Sequence, residues 1–122
     1  MPHLTLHYTA NLVDFDADAV LDTLNRALAG SGHFDELAIK SRALPLAHYR
    51  VGNADEGRAF VHVQLKILPG RNEAVRHALS AIVLDALRRA MPEHHPSVQL
   101  CVDVDELYAP AYAKIVLDAN LP

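Results

Sequence analysis

The sequence predicts an α/β chain of the α+β type, in which two consecutive β-α-β units build a four-stranded mixed sheet with both helices on one face. Four segments alternate apolar and polar residues with a period of two, as half-buried strands do. Two longer segments repeat apolar residues at helical spacing, and each lies between two alternating segments. Because a strand–helix–parallel strand unit is almost always a right-handed crossover, each unit should contribute two parallel strands.

The first unit opens with a strand from His3 to Thr9, where apolar and polar residues alternate. Asp14 and Asp16 are candidate N-caps of the first helix, since their carboxylates can accept hydrogen bonds from its first free N–H groups. Glycines at 30 and 32 end this helix. Its apolar positions recur at helical spacing: Val20, Leu21, Leu24, Ala27 and Leu28.

The second strand of this unit is predicted from Leu37 to Leu44. Pro45 should end or bend it, because proline cannot donate a hydrogen bond to a strand ladder. The polar stretch from His48 to Gly57 is expected to connect the two units.

The second unit begins with the most regular strand, from Ala59 to Leu68. Asn72 is the expected N-cap of the second helix, and Pro92 ends it. The alternating stretch from Val98 to Asp105 predicts the fourth strand. A largely apolar tail, Tyr108 to Pro122, should pack on other parts of the protein or on another subunit. One face of the second helix is apolar: Val75, Leu79, Ile82, Val83, Ala86 and Leu87.

The two units resemble each other along their length when His3 is aligned with His62. This alignment also superimposes Val20 on Leu79 and Ile39 on Val98. We therefore expect one domain over residues 1–122, made of pseudo-repeats at about 2–50 and 59–108.

Size and composition exclude several classes of function. The 122 residues fit one domain, and the net charge of −4 argues against a nucleic-acid surface, which needs clustered basic residues. The single cysteine, Cys101, cannot form an internal disulfide, which favours a reducing compartment. Neither a signal-peptide pattern nor an apolar run long enough to cross a membrane is evident. We expect a cytoplasmic protein without nucleic-acid or membrane partners.

The N-terminal residues Met1-Pro2 carry the clearest chemical signal. The small side chain of Pro2 favours removal of Met1, which would leave a free prolyl secondary amine at the start of a strand. Such an amine is a rigid base, whereas an internal proline nitrogen is an amide without basicity. The hypothesis of Pro2 as a catalytic base therefore requires that Met1 be absent.

Several stretches together resemble the tautomerase superfamily, and most of the chain is similar to the 5-carboxymethyl-2-hydroxymuconate delta-isomerases. They are Met1-Pro2-His3, Gly30 to Arg42, Ala59 to Arg71 with its Gly-Arg turn, and Val98 to Glu106. The resemblance implies a tautomerase-like fold, a homotrimer and catalysis without a cofactor or metal. It also implies a small unsaturated carboxylate as substrate, in which a 1,3-proton shift moves a double bond.

The same resemblance assigns roles to individual residues. Pro2 falls on the catalytic base, and Arg71 falls on the arginine of the Gly-Arg turn that binds a substrate carboxylate. Lys40 stands where relatives carry arginine, and lysine lacks the two-pronged geometry that grips a carboxylate. Arg42, two residues along the same face of the strand, is the other candidate for that role.

Two alternative functions and one structural expectation remain from the sequence. A ferredoxin-like module that binds small ligands or assembles subunits has the same order of elements. Strand order distinguishes it, since a ferredoxin-like sheet interleaves the halves. The eight histidines invite a metal site, but no His-Glu-x-x-His pattern is present. Finally, His3 and His62 are expected to meet across the sheet as structural residues.

Overall fold

The computed structural model of the chain describes residues 1–119, and its elements follow the predicted order. Two short 3₁₀ turns, at Glu36–Ala38 and Ala109–Ala111, accompany the helices and strands. The strands and helices are β1 (His3–Thr9), α1 (Ala17–Gly30), β2 (Lys40–Leu46), β3 (Arg58–Ile67), α2 (Glu73–Ala90) and β4 (Ser97–Glu106). No helix within residues 1–119 is long and apolar enough to cross a membrane.

The sheet has the strand order β2-β1-β3-β4 and confirms the predicted mixed topology. The outer pairs β1/β2 and β3/β4 are parallel, and the central pair β1/β3 is antiparallel. Each β-α-β unit therefore keeps its two strands together, which is incompatible with the interleaved ferredoxin-like order. The expected meeting of His3 and His62 is wrong, because the register places His3 opposite Lys66 and His7 opposite His62.

Both helices pack on the face of the sheet that carries the apolar residues of the central strands. Leu4 and Leu6 of β1 are fully buried there, together with every second residue of β3. Transfer of this apolar surface out of water is the main force that holds helices and sheet together. The buried apolar core consists of Leu4, Leu6, Leu12, Phe15, Val20, Leu24, Leu28, Ile39, Ala59, Val61, Val63, Leu65, Ile67, Leu79, Val83, Ala86 and Leu87.

Both helices begin with a side-chain cap, as the sequence predicts. Asp16 accepts a hydrogen bond from the backbone N–H of Ala19 at 3.1 Å, so it is this aspartate, and not Asp14, that caps α1. Asn72 accepts from Val75 in the same way at 2.9 Å and caps α2. Each cap satisfies one of the N–H groups that a helix start leaves without a partner.

The predicted bounds of the second strand are wrong at both ends. Its first predicted residues form the 3₁₀ turn, in which the N–H of Ala38 donates to Asp35 at 2.9 Å, and β2 begins only at Lys40. At the other end Pro45 neither ends nor breaks the strand but pairs with Tyr8 inside it. A proline is tolerated at this position because β2 is an edge strand, whose outward side needs no donor.

The face of the sheet opposite the helices is open. Its middle is formed by His7 and His62, and a hydrogen bond of 2.6 Å joins the side chains of His62 and Asp103 there. The tail crosses from the end of β4 to the start of β1, where Tyr112 contacts His3. The last part of the predicted tail, residues 120–122, lies outside the described residues.

Candidate active site at the start of the chain

Pro2 lies immediately before β1 and is buried. Its carbonyl oxygen accepts a hydrogen bond from the backbone N–H of Lys40 at 3.1 Å, which extends the parallel pairing of β1 and β2 by one step. This bond fixes the proline ring beside the first residue of β2. With Met1 in place, the Pro2 nitrogen is an amide and carries no basicity.

The Met1 side chain contacts both Tyr112 and Lys40. The Tyr112 hydroxyl donates to the Met1 sulfur at 2.9 Å, and the Lys40 ammonium lies 3.8 Å from the same atom. Removal of Met1 would therefore have two consequences. It would convert the Pro2 nitrogen into an amine, and it would vacate the space between Lys40 and Tyr112.

The environment of the chain start disfavours positive charge. The pKa of the Met1 amine lies below the usual value, chiefly because burial removes it from water and then because the charges of Lys40, Lys114 and Arg71 repel its protonated form. Asp35 opposes this effect but is the weakest of these influences. An amine at this end of the chain is thus shifted toward the neutral form that a general base requires.

Arg71 follows the glycine that turns the chain out of β3. Gly70 has a φ of +123°, a conformation in which a side chain would be strained. Arg71 then donates to the carbonyl oxygen of His33 at 2.7 Å, and its guanidinium carbon lies 4.7 Å from the centre of the Phe34 ring. These two contacts hold the arginine on the loop after α1, on the side of the molecule where its charge acts on the Met1 amine.

Lys40 and Arg42 project from the same face of β2, as predicted, opposite His3 and Thr5 respectively. Lys40 contacts Met1, whereas Arg42 turns toward β1 and donates to His3 Nδ1 at 3.1 Å and to Thr5 Oγ1 at 3.5 Å. The structure therefore brings Lys40 and Arg71 toward the chain start and leaves Arg42 one step further along the sheet.

His3 links the cationic residues of β2 to the tail. A guanidinium only donates hydrogen bonds, so the His3 Nδ1 that faces Arg42 must be unprotonated. The hydrogen then lies on Nε2, which donates to the Tyr112 hydroxyl at 2.9 Å. The pKa of His3 is lowered by burial first and by Lys40 and Arg42 next, which favours this neutral form.

A cleft of about 770 Å³ opens beside these residues, between the segment before β2 and the tail. The cleft size is typical of small-molecule sites. Arg42 and Arg71 do not line it. Its lining residues are His3, Asp35, Leu37, Ala38, Lys40, Tyr112, Ala113, Lys114, Ile115, Val116, Leu117, Asp118 and Ala119.

Sequence reasoning missed Lys114 and Tyr112. Both lie in the tail beyond β4, where no strand or helix periodicity fixes the direction of a side chain. The only signal was the apolar character of the tail, which indicates packing but not where it packs. Within residues 1–119, no group of three or more histidines, cysteines or acidic residues is arranged to hold a metal ion.

Comparison with known proteins identifies a family over almost the whole chain. The profile described as 5-carboxymethyl-2-hydroxymuconate isomerase matches residues 2–115. No curated protein matches the sequence.

Solved structures agree with this match. A 5-carboxymethyl-2-hydroxymuconate isomerase from Deinococcus radiodurans R1 is 29% identical with a TM-score of 0.85, over 93% of this chain and 88% of that one. A 5-carboxymethyl-2-hydroxymuconate delta-isomerase is 26% identical with a TM-score of 0.82, over 95% and 89%. A fused 4-OT symmetric trimer, 17% identical with a TM-score of 0.64 over 84% and 85%, shares the fold. The fold is thus tautomerase-like, as the sequence predicts.

Proposed function

Because this chain belongs to the 5-carboxymethyl-2-hydroxymuconate isomerase family, we propose that it catalyses a 1,3-proton shift in a 2-hydroxymuconate-type acid without a cofactor. The substrate is a dienol carboxylate of the kind formed in aromatic degradation, such as 5-carboxymethyl-2-hydroxymuconate. The product is the conjugated ketone. Seen from the unconjugated keto form, one group must take a proton from the carbon next to the carbonyl and return one to the carbon two positions further along. When the reaction starts from the dienol, the proton is taken from the hydroxyl and is delivered to that same distal carbon.

The Pro2 nitrogen is that group once Met1 has been removed. The observation that carries this proposal is the environment of the chain start, where burial and the charges of Lys40, Lys114 and Arg71 lower the pKa of a terminal amine. A prolyl amine in the same surroundings would be neutral more often at pH 7 than one in water. The hydrogen bond from Lys40 to the Pro2 carbonyl holds the ring still while the proton moves.

Arg71, Lys40 and Arg42 bind the carboxylates of the substrate. The charges of Arg71 and Lys40 act on the amine at the start of the chain. Arg42 donates a hydrogen bond to His3, the residue that follows Pro2. Each cation has a double effect, since it disfavours a protonated base and favours an anionic substrate and dienolate. A guanidinium can donate to both oxygens of a carboxylate, whereas the Lys40 ammonium is a point charge. Arg71 should therefore contribute more to carboxylate binding than Lys40.

The active form is a homotrimer in the cytoplasm. The open face of the sheet carries the partly exposed residues Phe60 and Leu44 beside polar ones, and such a face is covered when subunits associate. The fused 4-OT protein of the same fold is a symmetric trimer. The lone Cys101 suits a reducing compartment.

The test combines an intact-mass measurement with an absorbance assay of dienol conversion in the presence of EDTA. We expect protein purified from its native host to lack Met1 and to convert 5-carboxymethyl-2-hydroxymuconate at an undiminished rate with the chelator. Full activity in protein that retains Met1 would overturn Pro2 as base. Loss of activity with EDTA would overturn the cofactor-free reaction.

A further inference from the structure

Lys114 is a second lysine of the cleft, and it lies on the tail rather than on the sheet. Together with Lys40 of β2 it places two lysines in the lining of one cleft. Within residues 1–119 neither lysine forms an ion pair with a carboxylate. Two like charges that are not ion-paired repel each other, and an anion that binds to both would relieve that repulsion.

The anchoring of the tail holds Lys114 at this place. Tyr112, two residues earlier, contacts His3 through its hydroxyl at 2.9 Å, and its ring meets the His3 ring edge-on at 5.9 Å. Tyr112 is half-buried, whereas Lys114 is exposed. The tail is therefore held at Tyr112 and presents an exposed ammonium two residues further on, where a ligand can reach it.

The charge of Lys114 acts on the same neighbouring groups as the charge of Lys40. After burial, the charge of Lys114 is the next influence that lowers the pKa of Lys40. It also lowers the pKa values of His3 and of the Met1 amine. The cleft contains the acidic residues Asp35 and Asp118 as well, but only Asp35 acts on the Met1 amine, and more weakly than the cations.

We propose that Lys114 is a specificity-determining residue that binds the additional carboxylate of a tricarboxylate substrate. This inference rests on the proposed function. A simple muconate has two carboxylates, for which Arg71 and Lys40 or Arg42 suffice. A carboxymethyl branch adds a third anion, which needs a further cation within reach of the same site. Lys114 is that cation, and it lines the same cleft as Lys40 but belongs to the tail.

The experiment compares two substrates and two unreactive analogues. Turnover is measured for 2-hydroxymuconate and for 5-carboxymethyl-2-hydroxymuconate, which share the reacting dienol. Calorimetric binding is measured for adipate and for pentane-1,2,5-tricarboxylate, the saturated skeletons of the same two acids. The variants are Lys114→Met, Lys114→Arg and a control, Arg89→Met, which removes a cation paired with Asp85 on α2.

Lys114→Met should lower kcat/KM for the tricarboxylate, and its affinity for the saturated tricarboxylate, by about tenfold, as expected for one charge-assisted contact. The values for both dicarboxylates should stay within about twofold, Lys114→Arg should restore the preference, and Arg89→Met should change nothing. Equal losses for both classes of ligand, or no loss, would overturn the role of Lys114. Lack of turnover in the unaltered protein with intact, Lys114-dependent binding would overturn only the proposed reaction.

Discussion

The two β-α-β units place different residues at equivalent positions, and this difference is the reason why we propose one site per chain and not two. Aligning His3 with His62 superimposes Pro2 on Val61. Pro2 precedes its strand and needs no ladder partner on its nitrogen. Val61 lies inside the ten-residue strand β3, fully buried and paired with Leu100. Only the first unit can therefore expose a terminal nitrogen.

In the turns after β1 and β3, it is the second unit that carries the proposed functional residue. The alignment superimposes Asn11-Leu12 on Gly70-Arg71. Leu12 is a core residue, 3% exposed, and Asn11 donates to the carbonyl oxygen of Arg58 at 2.8 Å, which ties the turn to β3. The charge of Arg71 instead acts on the amine at the start of the chain, whose pKa it lowers. The first unit supplies the Pro2 nitrogen and Lys40, and the second unit supplies Arg71, so the proposed site needs both units.

The largest effect should follow substitution of Pro2. In protein shown to lack Met1, Pro2→Ala should lower kcat by about 10² to 10⁴, the range that positioned proton transfer contributes, because the flexible primary amine loses the rigidity of the ring. Pro45→Ala is the matched control, an exposed proline on β2 away from the chain start. It should leave kcat unchanged. Steady-state kinetics and the mass of the oligomer check both variants, and equal turnover in the two would contradict the difference between the units.

The next largest effect compares the two turns. Arg71→Ala should raise KM by about tenfold to a hundredfold, as loss of a charge-assisted contact does, with the fold retained. Leu12→Ala should instead lower the free energy of unfolding by about 2–5 kcal/mol through a cavity in the core. Its KM in the folded protein should be unchanged. Urea unfolding and steady-state kinetics on both variants test whether Arg71 serves substrate binding and Leu12 serves the core. An equal rise of KM in Leu12→Ala and Arg71→Ala would contradict this division between the two turns.

The smallest effect concerns the pH dependence of stability at His3. Its pKa is lowered in the folded protein, so the unfolded chain binds the extra proton first as the pH falls. The stability contribution is therefore complete above the unfolded pKa of about 6.5 and is lost as pH falls through the lower folded pKa. Urea unfolding between about pH 5 and 8 should show this loss, and His3→Gln should flatten it. A slope that survives in His3→Gln would assign it to another group.

The sequence predicted those parts of the fold that depend on local periodicity. Alternation in β3 is regular over its whole length, and burial of every second residue confirms it. The caps at Asp16 and Asn72 could be predicted because their geometry depends on neighbours two or three residues away. The start of β2 could not, since the choice between a 3₁₀ turn and a strand at Leu37 depends on the burial of Ile39 against distant elements.

The residues of the candidate site likewise fall into those that local sequence features predict and those that depend on distant contacts. Pro2, Lys40 and Arg71 follow from a terminal residue, a strand face and a glycine turn, which are local features. The placement of Lys114 and Tyr112 depends on a hydrogen bond between residues more than a hundred positions apart in the chain. Nothing in the sequence around position 112 indicates that partner, so only the folded structure reveals that the tail forms a wall of the cleft.

The proposed mechanism requires that the Pro2 nitrogen be a terminal amine kept neutral by burial and by neighbouring cations. Nitrogen-15 NMR titration of protein labelled at proline and shown by mass to lack Met1 measures this directly. We expect a single proline nitrogen to titrate, with a pKa below that of the same amine in the urea-unfolded chain, and with that pKa raised in Lys40→Met and Arg71→Ala. A pKa equal to the unfolded value, unaffected by either substitution, would contradict the account.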